Sequence, residues 1–253
     1  MPALRVPTLV RERAAWREGR LLVGVDEVGR GPLAGPVVAA AVVFPEGSRK
    51  VRGLRDSKVL PERRRDELAA IVRAKALAIG VGAASAREID RFNIRVASAI
   101  AMRRAVGRCL KALGSVLGWC AAADPPQPTQ ECWILIDGLP LPEIGLTHDA
   151  LVDGDARCHS VAAAAVVAKT VRDALMHRLA VRYPGYGWET NVGYATESHQ
   201  EGLRRLGPTR HHRRSFFPIA QLQFEFEVHE LQTTELQATE LQLKTTEAQR
   251  HRE

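Results

Sequence analysis

The sequence predicts an α/β fold, and three observations carry that reading. Short apolar runs rich in β-branched residues, Leu21–Val25, Val37–Phe44 and Trp133–Ile136, have the length of buried strands and are bounded by Gly and Pro. Longer segments, Ile89–Leu113 and roughly Cys158–Val181, carry apolar residues at helical spacing. Two of the strand-like runs end in acids, Asp26-Glu27 and Asp137. Carboxylates at adjacent strand ends converge on one sheet edge, where α/β folds place ligands.

The chain is organised around Leu21–Val38, in which an apolar run meets Asp26-Glu27 and then the turn Gly29-Arg30-Gly31-Pro32. Buried carboxylates are costly unless paired or metal-bound. Neighbouring side chains on a strand point to opposite faces, so the two acids share a site only if the strand ends between them. Hard oxygen donors at a strand end suit Mg²⁺ or Mn²⁺ and not zinc. The bland alternative is a solvated pair of acids in a hairpin turn.

With 253 residues the chain can hold one large core or two small ones. No apolar run reaches the ~20 residues needed to span a bilayer. The first twenty residues lack a signal-peptide core. The simplest expectation is a soluble cytoplasmic protein with no membrane partner, and monomer is the default. Cys109, Cys120, Cys132 and Cys158 lie far apart, without a CxxC pair, and read as ordinary thiols. Net charge is +7, and it is uneven. Residues 225–253 hold seven Glu against Lys244, Arg250 and Arg252, a net −4, so the rest of the chain carries +11. A strongly basic body suits a polyanion, most simply nucleic acid.

Taken in order, residues 1–19 read as a lead-in with a solvated charged face. Asp56-Ser57-Lys58 sits in a basic loop, with Lys58 either a phosphate contact or merely exposed, and Pro61 opens a helix to about Lys75. Leu77–Ala84 is a third strand. Ser85 with Glu88 forms a capping box for the next helix, near whose start Asn93 is either a cap or a phosphate contact. Residues 121–130 form a Pro-rich connector. Ala150–Val152 is a further strand. Asp155 then precedes the long helix, placed for a cap or a metal ligand alike. On that helix Lys169 or Arg172 is suited to meet phosphate, and Asp173 to form an ion pair. Tyr183–Tyr194 offers aromatics that stack on sugars or bases, or plug the core. Thr196–Leu206 is another helix, and Arg210–Arg214 is a positive cluster suited to phosphate. Residues 230–244 repeat every five residues, which scatters the leucines around a helix, so 221–253 reads as a low-complexity tail.

At Asp26-Glu27-Val28-Gly29-Arg30-Gly31-Pro32-Leu33-Ala34-Gly35-Pro36-Val37 the chain resembles the ribonuclease HII (type 2 ribonuclease H) family. Companion matches follow in order: Asp56-Ser57-Lys58, Ile89-Asp90 with Asn93, Asp137-Gly138, Gly154-Asp155-Ala156, Ala168-Lys169 with Arg172-Asp173, Gly193-Tyr194 with Thr196 and His199, and His212–Phe216. The resemblance spans about residues 20–218. It implies a ribonuclease H-like mixed sheet flanked by helices, with a helical C-terminal part, in a catalytic domain over 20–220. It also implies cleavage of RNA in RNA/DNA hybrids and incision 5′ to single ribonucleotides in duplex DNA. By the matching motifs, Asp26, Glu27, Asp137 and Asp155 are the catalytic, metal-binding carboxylates. Gly29, Arg30 and Gly31 line the groove that senses the ribose 2′-OH, Tyr194 packs on the junction sugar, and Lys58, Asn93, Lys169 and Arg172 complete the substrate contacts.

The implied chemistry suits these residues. Phosphodiester hydrolysis needs an activated water and a stabilised leaving oxygen, which two Mg²⁺ or Mn²⁺ ions about 3.5–4 Å apart supply. Telling RNA from DNA needs contact with the 2′-OH, and glycine lets backbone come close to the sugar. Three positions depart from the family pattern: Asp153 replaces a usual Lys, Ala165 a usual Ser and Val59 a usual Lys. None removes an expected ligand. A binding module without catalysis and a phosphoryl-transfer enzyme acting on small nucleotides are the competing classes. Gln221–Phe226 resembles a sliding-clamp-binding peptide, with a final packed segment as the alternative.

Overall fold

The structure is a computed structural model that describes residues 6–55, 57, 59–117, 131–217 and 219–221. Lys58, the Pro-rich connector, the repeat tail and all of the clamp-like peptide except Gln221 lie outside the described residues. The chain divides into two compact units, Met1–Arg213 and Arg214–Glu253. In the second, Phe216 O accepts from Ile219 N and Ala220 N at 2.9 and 3.0 Å, a helical turn.

The first unit is built on a five-stranded mixed sheet. Strands β1 (Leu21–Val28), β2 (Val37–Val43) and β3 (Ala78–Ala84) form an antiparallel meander, while β4 (Cys132–Asp137) and β5 (Asp149–Leu151) add in parallel, in the order β3-β2-β1-β4-β5. β1 therefore lies at the centre. Its interior residues are almost wholly buried, as expected of a strand covered on both faces.

Helices cover the two faces. α1 (Val10–Arg17), α2 (Glu62–Lys75) and α5 (His159–Arg182) lie on one, and α3 (Ala86–Leu117) on the other. Pleat alternation fixes which strand residues each helix meets. Gly24 points at α5 so closely that a Cβ there would run into the Ser160 backbone. Ala40, Val42 and Phe44 pack on the same face against Leu68 and Val72 of α2 and Ala163, Val166 and Val167 of α5. Val28 of β1, two residues beyond Asp26, packs against the same layer.

Ser85 and Glu88 form the expected capping box: the Glu88 carboxylate accepts from Ser85 N and Oγ, both at 2.8 Å, and Glu88 N donates to Ser85 Oγ at 3.3 Å. The helix beyond it is not continuous. Asn93 takes φ 66°, and its Oδ1 accepts from Arg95 N and Val96 N at 2.9 and 3.1 Å. Its side chain thereby caps a second helical stretch.

The N-terminal segment differs from the solvated face read in the sequence. Glu12 is 1% exposed. Its Oε1 accepts from Ser160 N at 2.7 Å, Ser160 Oγ at 2.9 Å and Cys158 Sγ at 3.2 Å. The start of α5 carries no side-chain cap of its own at Cys158, so an acid from α1, 148 residues away in sequence, takes that role. Thr8 adds backbone bonds from its N to Arg157 O and to its O from His159 N, at 3.2 and 3.1 Å.

Candidate active site

β1 and β4 pair in parallel, with Val25 opposite Ile136. Asp26 and Asp137 each follow by one residue, so they stand level at neighbouring strand ends. Alternation puts both on the face covered by α5. The one-turn helix α4 (Gly154–Arg157) leads into α5 and carries Asp155 in its first turn. Gly154 N donates to Asp137 Oδ1 at 2.6 Å, which ties this corner to the end of β4. β1 does not end between the two acids, the condition expected for them to share a site; it runs on to Val28. Glu27 consequently leaves the strand toward the other face, and its Oε1 accepts from Arg30 Nη1 at 3.1 Å.

Asp26 nevertheless feels the other three acids. Asp26 is 7% exposed. Burial holds its carboxyl well above the usual carboxylate range, and the charges of Glu27, Asp137 and Asp155 push it further. A bond from Glu27 N to Asp26 Oδ1 at 2.6 Å offsets part of this. Among the described residues, no three His, Cys, Asp or Glu side chains close around one point as a finished metal cage. What the site holds is an all-oxygen donor set whose negative charges repel. Such a set fits a hard divalent cation, whose charge would relieve that repulsion, and does not fit zinc.

The glycine turn follows directly. Gly29 takes φ 89°, and a Cβ there would run into the Arg172 side chain. Behind the turn lie two fully buried arginines. Arg172 donates from Nε to Pro36 O (3.0 Å), from Nη1 to Val192 O (3.0 Å) and from Nη2 to Ala34 O (3.1 Å). Arg213 donates from Nη2 to Gly29 O (2.5 Å), from Nη1 to Arg30 O (2.7 Å) and from Nε to Gly35 O (3.0 Å). Arg30 and Gly31 are exposed. Tyr194 is 44% exposed and flanks the turn, with its Cε1 3.9 Å from where a Cβ on Gly31 would sit.

Several expected substrate contacts have partners inside the protein. Arg172 is committed to backbone carbonyls inside the protein, so it supports the turn and does not face a ligand. The cluster Arg210–Arg214 is likewise not a uniform phosphate surface, because His212 and Arg213 are buried. Lys169 Nζ pairs with Asp173 Oδ1 at 2.6 Å, while Arg65 Nη2 holds Asp173 Oδ2 at 2.8 Å, a mostly buried triad joining α2 to α5. Asn93 is exposed, with its Oδ1 used as the cap.

Tyr194 rests on a histidine pair. With α6 at Trp188–Asn191 and α7 at Glu197–Leu206, Trp188 Nε1 donates to His199 Nε2 at 3.0 Å. That makes His199 Nε2 an acceptor, so its Nδ1 carries the proton and donates to Tyr194 O at 2.8 Å. His212 Nδ1 accepts from Thr209 N at 2.8 Å, and its Nε2–H then faces His199 Nε2 at 3.1 Å. Both rings are neutral in this arrangement. Burial lowers both pKa values, that of His212 to about 3.

Glu12, Gly154 and the true role of Arg213 escaped the sequence reading. Gly154 was marked only as part of the run Gly154-Asp155-Ala156, and Arg213 by its place in a basic run, a signal that pointed outward when the residue points in.

The mixed five-stranded sheet with helices on both faces is a ribonuclease H-like fold. The ribonuclease HII family profile matches residues 23–219. The chain belongs to the ribonuclease HII family, the endoribonucleases of RNA/DNA hybrids. It is 47% identical over 220 residues to ribonuclease HII of Synechococcus sp. (strain JA-3-3Ab), covering 86% of this chain and 91% of that one. Its fold is similar to that of ribonuclease H2 from Pyrococcus horikoshii OT3, with a TM-score of 0.64 and 22% identity over 82% of this chain and 99% of the other. It is also similar to ribonuclease HII in a complex with PCNA from Archaeoglobus fulgidus, with a TM-score of 0.54 and 25% identity over 78% and 95% of the two chains.

Proposed function

We propose that this enzyme cuts the RNA strand of hybrids and also incises 5′ to a single ribonucleotide in duplex DNA, leaving 3′-hydroxyl and 5′-phosphate ends. The observation that supports the reading is the charge of Glu27, Asp137 and Asp155 felt at the buried Asp26, beside a glycine turn flanked by Tyr194. Those four acids would hold two divalent ions, Mg²⁺ or Mn²⁺. When bound, such ions supply an activated water and charge stabilisation at the leaving oxygen. The chain's own part is positional. The sheet fixes Asp26 and Asp137, Gly154 N–H fixes the Asp137 carboxylate, and α4 brings in Asp155. The turn Gly29–Gly31 brings backbone donors to a ribose without a side chain between. Tyr194 presents a flat face against which the junction sugar packs.

The reading includes a monomeric cytoplasmic enzyme; among the described residues no helix is long and apolar enough to cross a membrane. The experiment is a nicking assay on a duplex with one embedded ribonucleotide, with Mg²⁺, with Mn²⁺ and with chelator. Divalent-dependent incision 5′ to the ribonucleotide is expected. Cleavage of long hybrids alone would remove the single-ribonucleotide part.

A partner reading rests on the PCNA complex of the Archaeoglobus relative. The segment Gln221–Phe226 is the candidate clamp-binding peptide here. Equal sliding-clamp affinity for the full chain and for a chain ending at Ala220 would dispose of it.

A further inference from the structure

We infer that Arg213 is a positioning residue for ribose recognition, because it sets the outward aim of the Arg30 and Gly31 amides. The inference deepens the proposed reading of the glycine turn and rests on it. A trans peptide is planar, with its C=O and the next residue's N–H on opposite sides. Arg213 Nη2 draws Gly29 O inward, so the Arg30 N–H of that peptide is turned away from Arg213. Arg213 Nη1 draws Arg30 O inward at 2.7 Å, which turns the Gly31 N–H away in the same manner. Two consecutive amides then face the exposed side of the turn, next to Tyr194. Successive backbone donors of this kind make a small cradle for an oxygen. Arg213 Nε on Gly35 O closes the loop at its far end.

The position is an expensive one to fill. Arg213 is buried against a second guanidinium, Arg172, and burial with that neighbour lowers its pKa to about 9, while Asp90 favours its charged form. A guanidinium presents several donors in a rigid plane, which a lysine does not. Three carbonyls held by one planar fork define the path of Gly29–Gly35 more tightly than a flexible ammonium can.

The test measures equilibrium binding in Ca²⁺ of two duplexes that differ in one 2′-hydroxyl, using wild type and Arg213→Lys. The ratio of the two affinities cancels the fraction of competent protein. Arg213→Lys should lower the ribose preference about tenfold, the scale of a charge-assisted hydrogen bond, with all-DNA affinity little changed. An unchanged ratio, or equal loss for both duplexes, overturns the inference. Should Arg213→Lys not fold, amide spectra of the wild type decide. The Arg30 and Gly31 N–H signals should shift with the ribonucleotide duplex and not with its all-DNA twin, and equal shifts overturn the inference. A wild type with no ribose preference would instead remove the proposed reading of the turn.

Discussion

Asp26 and Asp137 end neighbouring parallel strands at the same height and on the same face of the sheet. The pairing of Val25 with Ile136 one residue earlier fixes that height. Strand alternation fixes the face. Because β1 and β4 are parallel, both chains leave the sheet at this end. β5 is parallel to β4 and ends level with it, Leu151 opposite Asp137, so the turn Gly29–Gly31 after β1 and the corner Gly154–Asp155 after β5 start from the same edge, and the site is a consequence of sheet topology before it is one of side chains.

Asp26 is buried among three other acids, which predicts a trade of stability for function. Asp26→Asn should raise the thermal stability of metal-free protein at pH 7 by about 1 kcal/mol, as removal of a strained functional charge commonly does, and should abolish nicking. Addition of Mn²⁺ should stabilise the wild type more than the variant. Calorimetry with and without the ion checks both; a destabilised metal-free variant would mean that the Asp26 charge is well compensated.

Gly154 meets Asp137 so closely that a Cβ would lie 3.0 Å from its Oδ1. Gly154→Ala should therefore displace the carboxylate or weaken the Gly154 N–H bond. We expect about a tenfold loss in kcat, the scale of misplacing a catalytic group, with little change in KM or melting temperature. Steady-state kinetics on a single-ribonucleotide duplex separates these outcomes.

The sheet and the acids were legible because their causes are local. β-branched runs mark strands, and a carboxylate closing such a run stands out against its apolar neighbours. Ser85 and Glu88 were readable for the same reason, being three residues apart. Arg172, Arg213 and Glu12 were not, since a charged residue reads as exposed unless its partners are known. Their partners are backbone atoms far away in sequence, from Pro36 for Arg172 to Ser160 for Glu12. Asn93 left a cap and a phosphate contact open, and its positive φ and Oδ1 bonds show the cap. The expectation that Asp26 and Glu27 share a site only if the strand breaks between them overlooked how a charge acts around a strand end without facing its partner.

Glu12 lies outside the span matched by the family profile, yet it holds the start of α5, which begins two residues after the end of α4. Glu12→Ala leaves Ser160 N and Oγ without their buried acceptor and should cost about 2–3 kcal/mol. Glu12→Gln keeps an acceptor oxygen and should cost less. Chemical denaturation of both variants gives the order, and equal stability of the two would show that the charge and not the acceptor matters.

The neutral pair His199 and His212 should make the enzyme acid-labile. Both have pKa values lowered by burial, so the unfolded chain binds protons that the folded chain refuses. Their contribution to stability is complete above the unfolded histidine value of about 6.5 and is lost as pH falls. For His212, lowered to about 3, the loss continues from pH 6.5 down toward that value. It amounts to about 1.4 kcal/mol per pH unit for one such group. Protonating His199 Nε2 would also oppose the Trp188 N–H and His212 N–H that now point at it, loosening the support under Tyr194 O. Melting curves between pH 7.5 and 5 should show this slope together with that of buried His159, lowered to about 4, and His212→Gln should reduce it by the share of one group. A stability that stays level over that range would mean that both rings take up their protons in the folded enzyme.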